Sequence, residues 1–258
     1  MLPVHRYSDA LPDLTSFQWL LAGLGAFGIG LSKAGLAGVG LFHVVVFAFL
    51  FGARQSTGVV LPMLLAGDIT AVTAFHQHAR WDYIRRMLPP ACLGVIAAAL
   101  IIGRLDDSLF KPVIGWIIMA LTILQVARML RPGWFASAPH SRGFAWVAGF
   151  FVGIATMMAN AAGPIFGLYT VSLALPKLEI VGTGAWFFLL LNAFKVPFSF
   201  WLGLIQGKTL MLNALLVPAI LVGVFTGRQI VSRLPQRAFE LLMVGFAALA
   251  ALRLIGVL

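Results

Sequence analysis

Residues 180–204 read IVGTGAWFFLLLNAFKVPFSFWLGL. The run is long enough to cross the roughly 30 Å of bilayer hydrocarbon as a single helix. It also carries Asn192 and Lys195, side chains that hydrocarbon penalises unless a partner, a water path or a ligand meets them. Working outward, the chain offers ten apolar runs separated by polar or Gly/Pro punctuation: 17–35, 36–51, 56–76, 87–103, 109–130, 143–159, 162–175, 180–204, 209–230 and 236–258. The second and seventh are short. The predicted fold is an all-α polytopic integral membrane protein with about 8–10 membrane helices.

Composition excludes the soluble alternative. Of 258 residues, 61% are hydrophobic and 10% charged, against about 45–50% and about 25% in soluble domains. The formal net charge of +10 reports topology rather than a nucleic-acid partner, because most cations fall in short loops between apolar runs. Loops after the third, fifth, seventh and ninth runs hold Arg80, Arg85, Arg86, Arg128, Arg131, Arg142, Lys177, Arg228, Arg233 and Arg237 against Asp82 and Glu179. The opposite side holds Arg6, Arg54, Arg104, Lys111 and Lys208 against Asp9, Asp13, Asp106 and Asp107. The first set is expected to be cytoplasmic in a bacterial inner membrane, which places both termini in the periplasm. The stretch Met1–Ser16 lacks a basic leader, so no cleaved signal peptide is expected. Cys92, the single cysteine, lies in an apolar run and reads as packing.

Self-comparison gives ordered matches at a nearly constant offset. Gly25 pairs with Gly153, Ser32 with Asn160 and Gly35 with Gly163 at 128 residues; Ser56 pairs with Thr183 at 127; Pro89 with Pro218, Gly94 with Gly223, Leu105 with Leu234 and Phe110 with Phe239 pair at 129. Such order indicates duplication. The expected organisation is an N-terminal tail (1–16), a first transmembrane repeat (17–130), a cytoplasmic linker (131–142) and a second repeat (143–258). Each half holds an odd number of crossings, so the second repeat inserts upside down, a design common among transporters. The breaks Ser32-Lys33-Ala34-Gly35 and Asn160-Ala161-Ala162-Gly163-Pro164 make 17–51 and 143–175 either pairs of full spans or re-entrant hairpins, and the sequence leaves both open.

Five charged residues fall in or at the ends of apolar runs: Lys33, Asp68, Lys195, Glu240 and Arg253. Glu240 and Arg253 lie near run ends and can snorkel. Lys33 sits at the first break, and the 127 offset carries Asp68 onto Lys195. One reading makes Asp68 half of a buried ion pair that locks the halves together. The other makes Lys33 and Lys195 the electrostatic partners of an anion, with Asp68 the candidate for proton coupling. Helices restarting after Gly35 or Gly163 add free backbone N–H groups, and Asn160 and Asn192 add amides. His43 lies in the second run, and the His76-x-His78 spacing sets its rings on different helix faces, so no metal site is expected. No nucleophile with a base, and no carboxylate or histidine cluster, is visible at depth, so an enzyme is not expected. No cofactor is implied.

At these residues the chain resembles the TauE/SafE family of sulfite and organosulfonate exporters. The likeness rests on Gly30-Leu31-Ser32-Lys33-Ala34-Gly35, on Ala155 through Pro164, on Gly182-Thr183 and on Asn192-Ala193-Phe194-Lys195-Val196-Pro197. It implies secondary transport of a small sulfur-containing anion, with Lys33, Asn160, Asn192 and Lys195 as substrate contacts and Ser32, Gly35, Gly163 and Thr183 beside them in the same motifs. An alternating-access exporter of sulfite or a sulfonate such as sulfoacetate is expected, proton-coupled through Asp68. A passive anion channel on the same scaffold is the alternative. The partners foreseen are the anion, membrane lipid and protons, with a homo-oligomer admitted and nucleic acid excluded.

Overall fold

The computed structural model describes residues 14–36, 39–104, 107–131, 142–173, 175–230 and 252. Among these, nine α-helices follow one another: α1 (Ser16–Lys33), α2 (Gly40–Phe51), α3 (Ala53–Phe75), α4 (Trp81–Ile102), α5 (Asp107–Leu130), α6 (Arg142–Ala159), α7 (Gly163–Ser172), α8 (Lys177–Trp201) and α9 (Gly207–Ile230). No strand occurs among the described residues. The first nine predicted runs each find their helix; the tenth, 236–258, lies outside the described residues. Among the described residues five helices are long and apolar enough to cross a membrane, namely α3 with the 3-10 turn that follows it, α4, α6, α8 and α9. The protein is a multi-pass membrane protein.

The short runs remain short. α2 has 12 residues and α7 has 10, roughly 18 and 15 Å of helix, well under the thickness of the hydrocarbon. Gly28 lies against Val39 and Phe42, and Gly25 against Val46 and Phe47, so α2 folds back antiparallel on α1. At the second break the rings of Phe144 and Tyr169 stand 5.9 Å apart, which brings the start of α6 beside the end of α7. Each pair is therefore a long helix followed by a partial return.

The bundle is assembled at glycines. Between helices in lipid no hydrophobic drive operates, and small residues that let backbones approach supply the van der Waals contact instead. A Cβ on Gly153 would overlap the Ala91 carbonyl oxygen, and one on Gly94 would overlap that of Phe150, so α4 and α6 cross backbone to backbone. Gly30 against Ile220 and Gly223 against Phe27 make the same crossing between α1 and α9. α3 and α8 run antiparallel: Gly58 meets the Leu204 carbonyl at one end, and Gly182 meets Phe75 and His78 at the other. Exchanging α1, α3 and α4 for α6, α8 and α9 turns each of these contacts into another of the set.

The register differs from the sequence matches in one respect. Self-comparison pairs Gly25 with Gly153, yet the residue that makes the close crossing opposite Gly223 is Gly30, while Gly25 receives the Phe47 ring of α2. α1 carries Gly23, Gly25, Gly28 and Gly30, so several positions could have accepted a facing backbone. The facing glycine decides which one does.

Gly153→Leu is expected to lower the thermal midpoint of the detergent-solubilised protein, at a cost of about 1–3 kcal/mol from overpacking. Gly23→Ala, whose added Cβ meets nothing within 4 Å, should leave the midpoint unchanged in the same fluorescence-detected melting assay. Equal midpoints for Gly153→Leu and the parent would contradict the crossing described.

Candidate functional site

Both helix breaks end in a left-handed residue. After α1, the Gly35 N–H donates to the Ser32 carbonyl (3.1 Å) and the Leu36 N–H to the Leu31 carbonyl (3.3 Å), a Schellman stop in which Gly35 (φ +103°) takes the conformation other residues avoid. After α6 the same part is played by Asn160 (φ +52°), the only non-glycine residue with positive φ among those described. Asn tolerates this conformation better than most side chains. The repeat matches set Gly35 opposite Gly163; in the structure Gly35 corresponds in role to Asn160, and Gly163 opens α7.

Between the breaks runs one continuous polar chain. Lys33 Nζ lies 2.6 Å from Asp68 Oδ1. That carboxylate oxygen takes no well-angled hydrogen bond, so the contact is an ion pair held by charge. The other oxygen, Oδ2, accepts from Asn192 Nδ2 at 2.7 Å. Asn192 Oδ1 in turn accepts from Lys195 Nζ at 3.4 Å. Lys195 also donates to the Thr156 carbonyl (2.8 Å), to Thr156 Oγ1 (3.1 Å) and to Asn160 Oδ1 (2.6 Å). Asn160 Nδ2 completes the chain by donating to the Thr57 carbonyl at 2.9 Å.

These bonds fix the amide orientations. With both Asn oxygens turned to Lys195, each NH₂ faces away from it. A carboxamide has two N–H donors, and Asn160 and Asn192 each commit one, to Thr57 and Asp68. The second N–H of each is left for another acceptor.

A cavity of about 120 Å³ adjoins this chain, its polar wall formed by Ser32, Lys33, His43, Thr156, Asn160 and Asn192 and its backbone by Gly35 and Gly163. Drug-sized pockets run to about 300–1,000 Å³, so this space suits a few-atom ion. Phe188 covers one side, its ring centroid 4.8 Å from Lys33 Nζ, a cation–π contact that holds the ammonium without neutralising it. The buried charges do not cancel. Asp68 compensates Lys33, whereas the hydrogen-bond partners of Lys195 among the described residues are all neutral.

Of the residues singled out from sequence, Ser32, Lys33, Gly35, Asn160, Gly163 and Asn192 meet at the cavity wall. Lys195 and Asp68 are buried behind it, 1% and 0% exposed, and reach it through the two amides. Thr183 stands elsewhere: its Oγ1 accepts the Arg80 backbone N–H at 3.0 Å, next to the Arg80–Glu179 ion pair (2.9 Å) that ties the start of α8 to the start of α4. Its place beside Gly182 serves that close packing, since Gly182 admits the backbone of Phe75 and His78. Nor does Asp68 pair with a lysine of the other half; its lysine is Lys33 of its own half, and the bond between halves is the one from Asn192. Sequence reading did not single out Thr57, Thr156 or Phe188. Thr156 stood inside a quoted motif, but nothing in a linear string says that its carbonyl faces Lys195. Among the described residues no cluster of three metal-binding side chains occurs.

The sulfite exporter TauE/SafE family model matches residues 22–254, nearly the whole chain and both helix breaks. The chain belongs to the TauE/SafE family. A search of curated proteins finds no match. As a TauE/SafE member the chain belongs to a family of membrane transporters.

Lys195→Met is expected to leave the Asn160 side-chain oxygen without its donor, at about 1–3 kcal/mol, while the Thr156 carbonyl keeps the Asn160 backbone N–H, and so to lower the thermal midpoint measurably in nanodiscs. Thr183→Val should lower stability while leaving anion flux per folded molecule at the parental level. Loss of flux without loss of stability in Thr183→Val would return that residue to the site.

Proposed function

We propose that this protein is a secondary transporter that exports a small sulfur oxyanion, sulfite or an organosulfonate such as sulfoacetate, across a bacterial inner membrane. In this reading two inverted repeats, 17–130 and 143–258, alternate access to the cavity between their helix breaks. Lys33 and the spare N–H groups of Asn160 and Asn192 meet the anion's oxygens, the N-terminus of α7 at Gly163 adds backbone donors, and Lys195 supplies charge from behind. The observation that carries the reading is the buried Lys195 side chain, whose hydrogen-bond partners among the described residues are all neutral, behind the wall of a cavity sized for a small ion, so that in its protonated form its charge is uncompensated there. An anion is what that excess charge lacks.

The surroundings fit alternating access. On the side of His78 and Lys177, a second cavity of about 330 Å³ is lined by Ala34, Phe75, His78, Val181 and Arg228 and shares Val181 with the central one. Gly35 packs on that valine, which stands 2.6 Å from where a Cβ on Gly35 would sit. A single valine thus divides a basic vestibule from the site. At the other end Gly58 abuts the Leu204 backbone and the Asn160 amide holds Thr57. Counting cations makes the vestibule side cytoplasmic and both termini periplasmic.

Asp68 is the coupling candidate. An anion that draws Lys33 away leaves a buried carboxylate with only the Asn192 amide as partner, and a proton is the remaining means of neutralising it.

In proteoliposomes of the purified protein, radiolabelled sulfite should accumulate against its own gradient when a pH gradient is imposed. Equilibration without accumulation would assign a passive channel. Lys33→Ala is expected to abolish uptake with insertion intact, and wild-type flux in that variant would remove Lys33 from the site. Asp68→Asn should make flux indifferent to the pH gradient; an unchanged response would place coupling on another group.

A further inference from the structure

α2 reads GLFHVVVFAFLF, apolar throughout except for His43. That imidazole is 2% exposed, lines the central cavity, and has no hydrogen-bond partner at either Nδ1 or Nε2 among the described residues. Most buried polar atoms have a partner, and those that do not call for a physical reason. Packing alone does not supply one, because leucine fills a comparable volume on an apolar helix without leaving polar atoms unpaired. The ionic groups around it lie on three other elements: Lys33 at the end of α1, Asp68 on α3 and Lys195 on α8. Two of the three are cations, and the near end of the ion pair presents Lys33 to the same cavity.

We infer that His43 is a direct ligand of the transported anion, donating a ring N–H to one of its oxygens. The inference rests on the transport reading above and names a contact that reading does not include. Lys33 and the two amides approach the cavity from α1, α6 and α8; His43 brings a donor from α2, a side otherwise wholly apolar. An oxyanion has several acceptor oxygens pointing in different directions, and donors from separate helices match that shape where one charge does not. The unpaired ring nitrogens of His43 then have their partner in an oxygen of the substrate.

The test is sulfite binding by isothermal titration to wild-type protein, His43→Leu and His43→Gln in nanodiscs, with ligand-free melting of each. His43→Leu should bind sulfite about 10- to 100-fold more weakly and melt at or above the wild-type temperature, since it removes unpaired polar atoms. His43→Gln keeps an N–H donor and should recover most of the affinity. Wild-type affinity in His43→Leu overturns the inference, and so does equal weakening in both variants, because then the N–H was not what mattered. Should His43→Leu fail to fold, His43→Phe replaces it as a ring without the N–H. Wild-type protein that binds neither sulfite, thiosulfate nor sulfoacetate overturns the transport reading together with this one, whereas wild-type binding with an indifferent His43→Leu overturns this one alone.

Discussion

A helix interrupted inside a bilayer has to satisfy its own broken end, because no water is at hand to do it. This molecule breaks two helices, after Lys33 and after Ala159, and much of the interior follows from how those ends are closed. At the first, Gly35 turns the chain and returns two N–H groups to the helix carbonyls. At the second, Asn160 makes the turn and its side chain reaches back to the Thr57 carbonyl. The same side chain presents its oxygen to Lys195. A backbone problem at one break thereby becomes a binding site for a buried cation, and the cation in turn orients Asn192.

The electrostatics are asymmetric where the architecture is nearly symmetric. A sequence offset of 127 matches Asp68 of α3 with Lys195 of α8, but Asp68 is neutralised by Lys33 at 2.6 Å and Lys195 has no carboxylate in contact among the described residues. Burying an ammonium is costly unless its donors are all met, and here a backbone carbonyl, a hydroxyl and two amide oxygens meet them. Those partners relieve the loss of water without cancelling the charge. The two amides that line the cavity, Asn160 and Asn192, are the ones whose oxygens accept from Lys195.

Rigidity comes from a different source. The glycine crossings of α1 with α9 and of α4 with α6 bring backbones together with no side chain between them, which gives two tight pairs. α3 and α8, which carry Asp68, Asn192 and Lys195, run between them and touch at both ends, at Gly58 and at Gly182. The buried polar groups thus stand where two tightly packed helix pairs meet.

The sequence by itself determined the membrane fold, nine of its helices, most of them to within a few residues, the two breaks, and four of the polar residues at the cavity, Ser32, Lys33, Asn160 and Asn192, because hydrocarbon thickness and the expense of buried charge act on linear runs and single side chains. Only the tertiary structure decided that Lys33 pairs with Asp68, that Lys195 stands behind the wall, that Thr183 belongs to a packing contact, and that Gly30 makes the crossing. It alone drew in Thr57, Thr156 and Phe188 and showed His43 without a partner. Each of those depends on which face of one helix meets another, and where several glycines or several polar groups could answer the same neighbour, distance in three dimensions makes the choice.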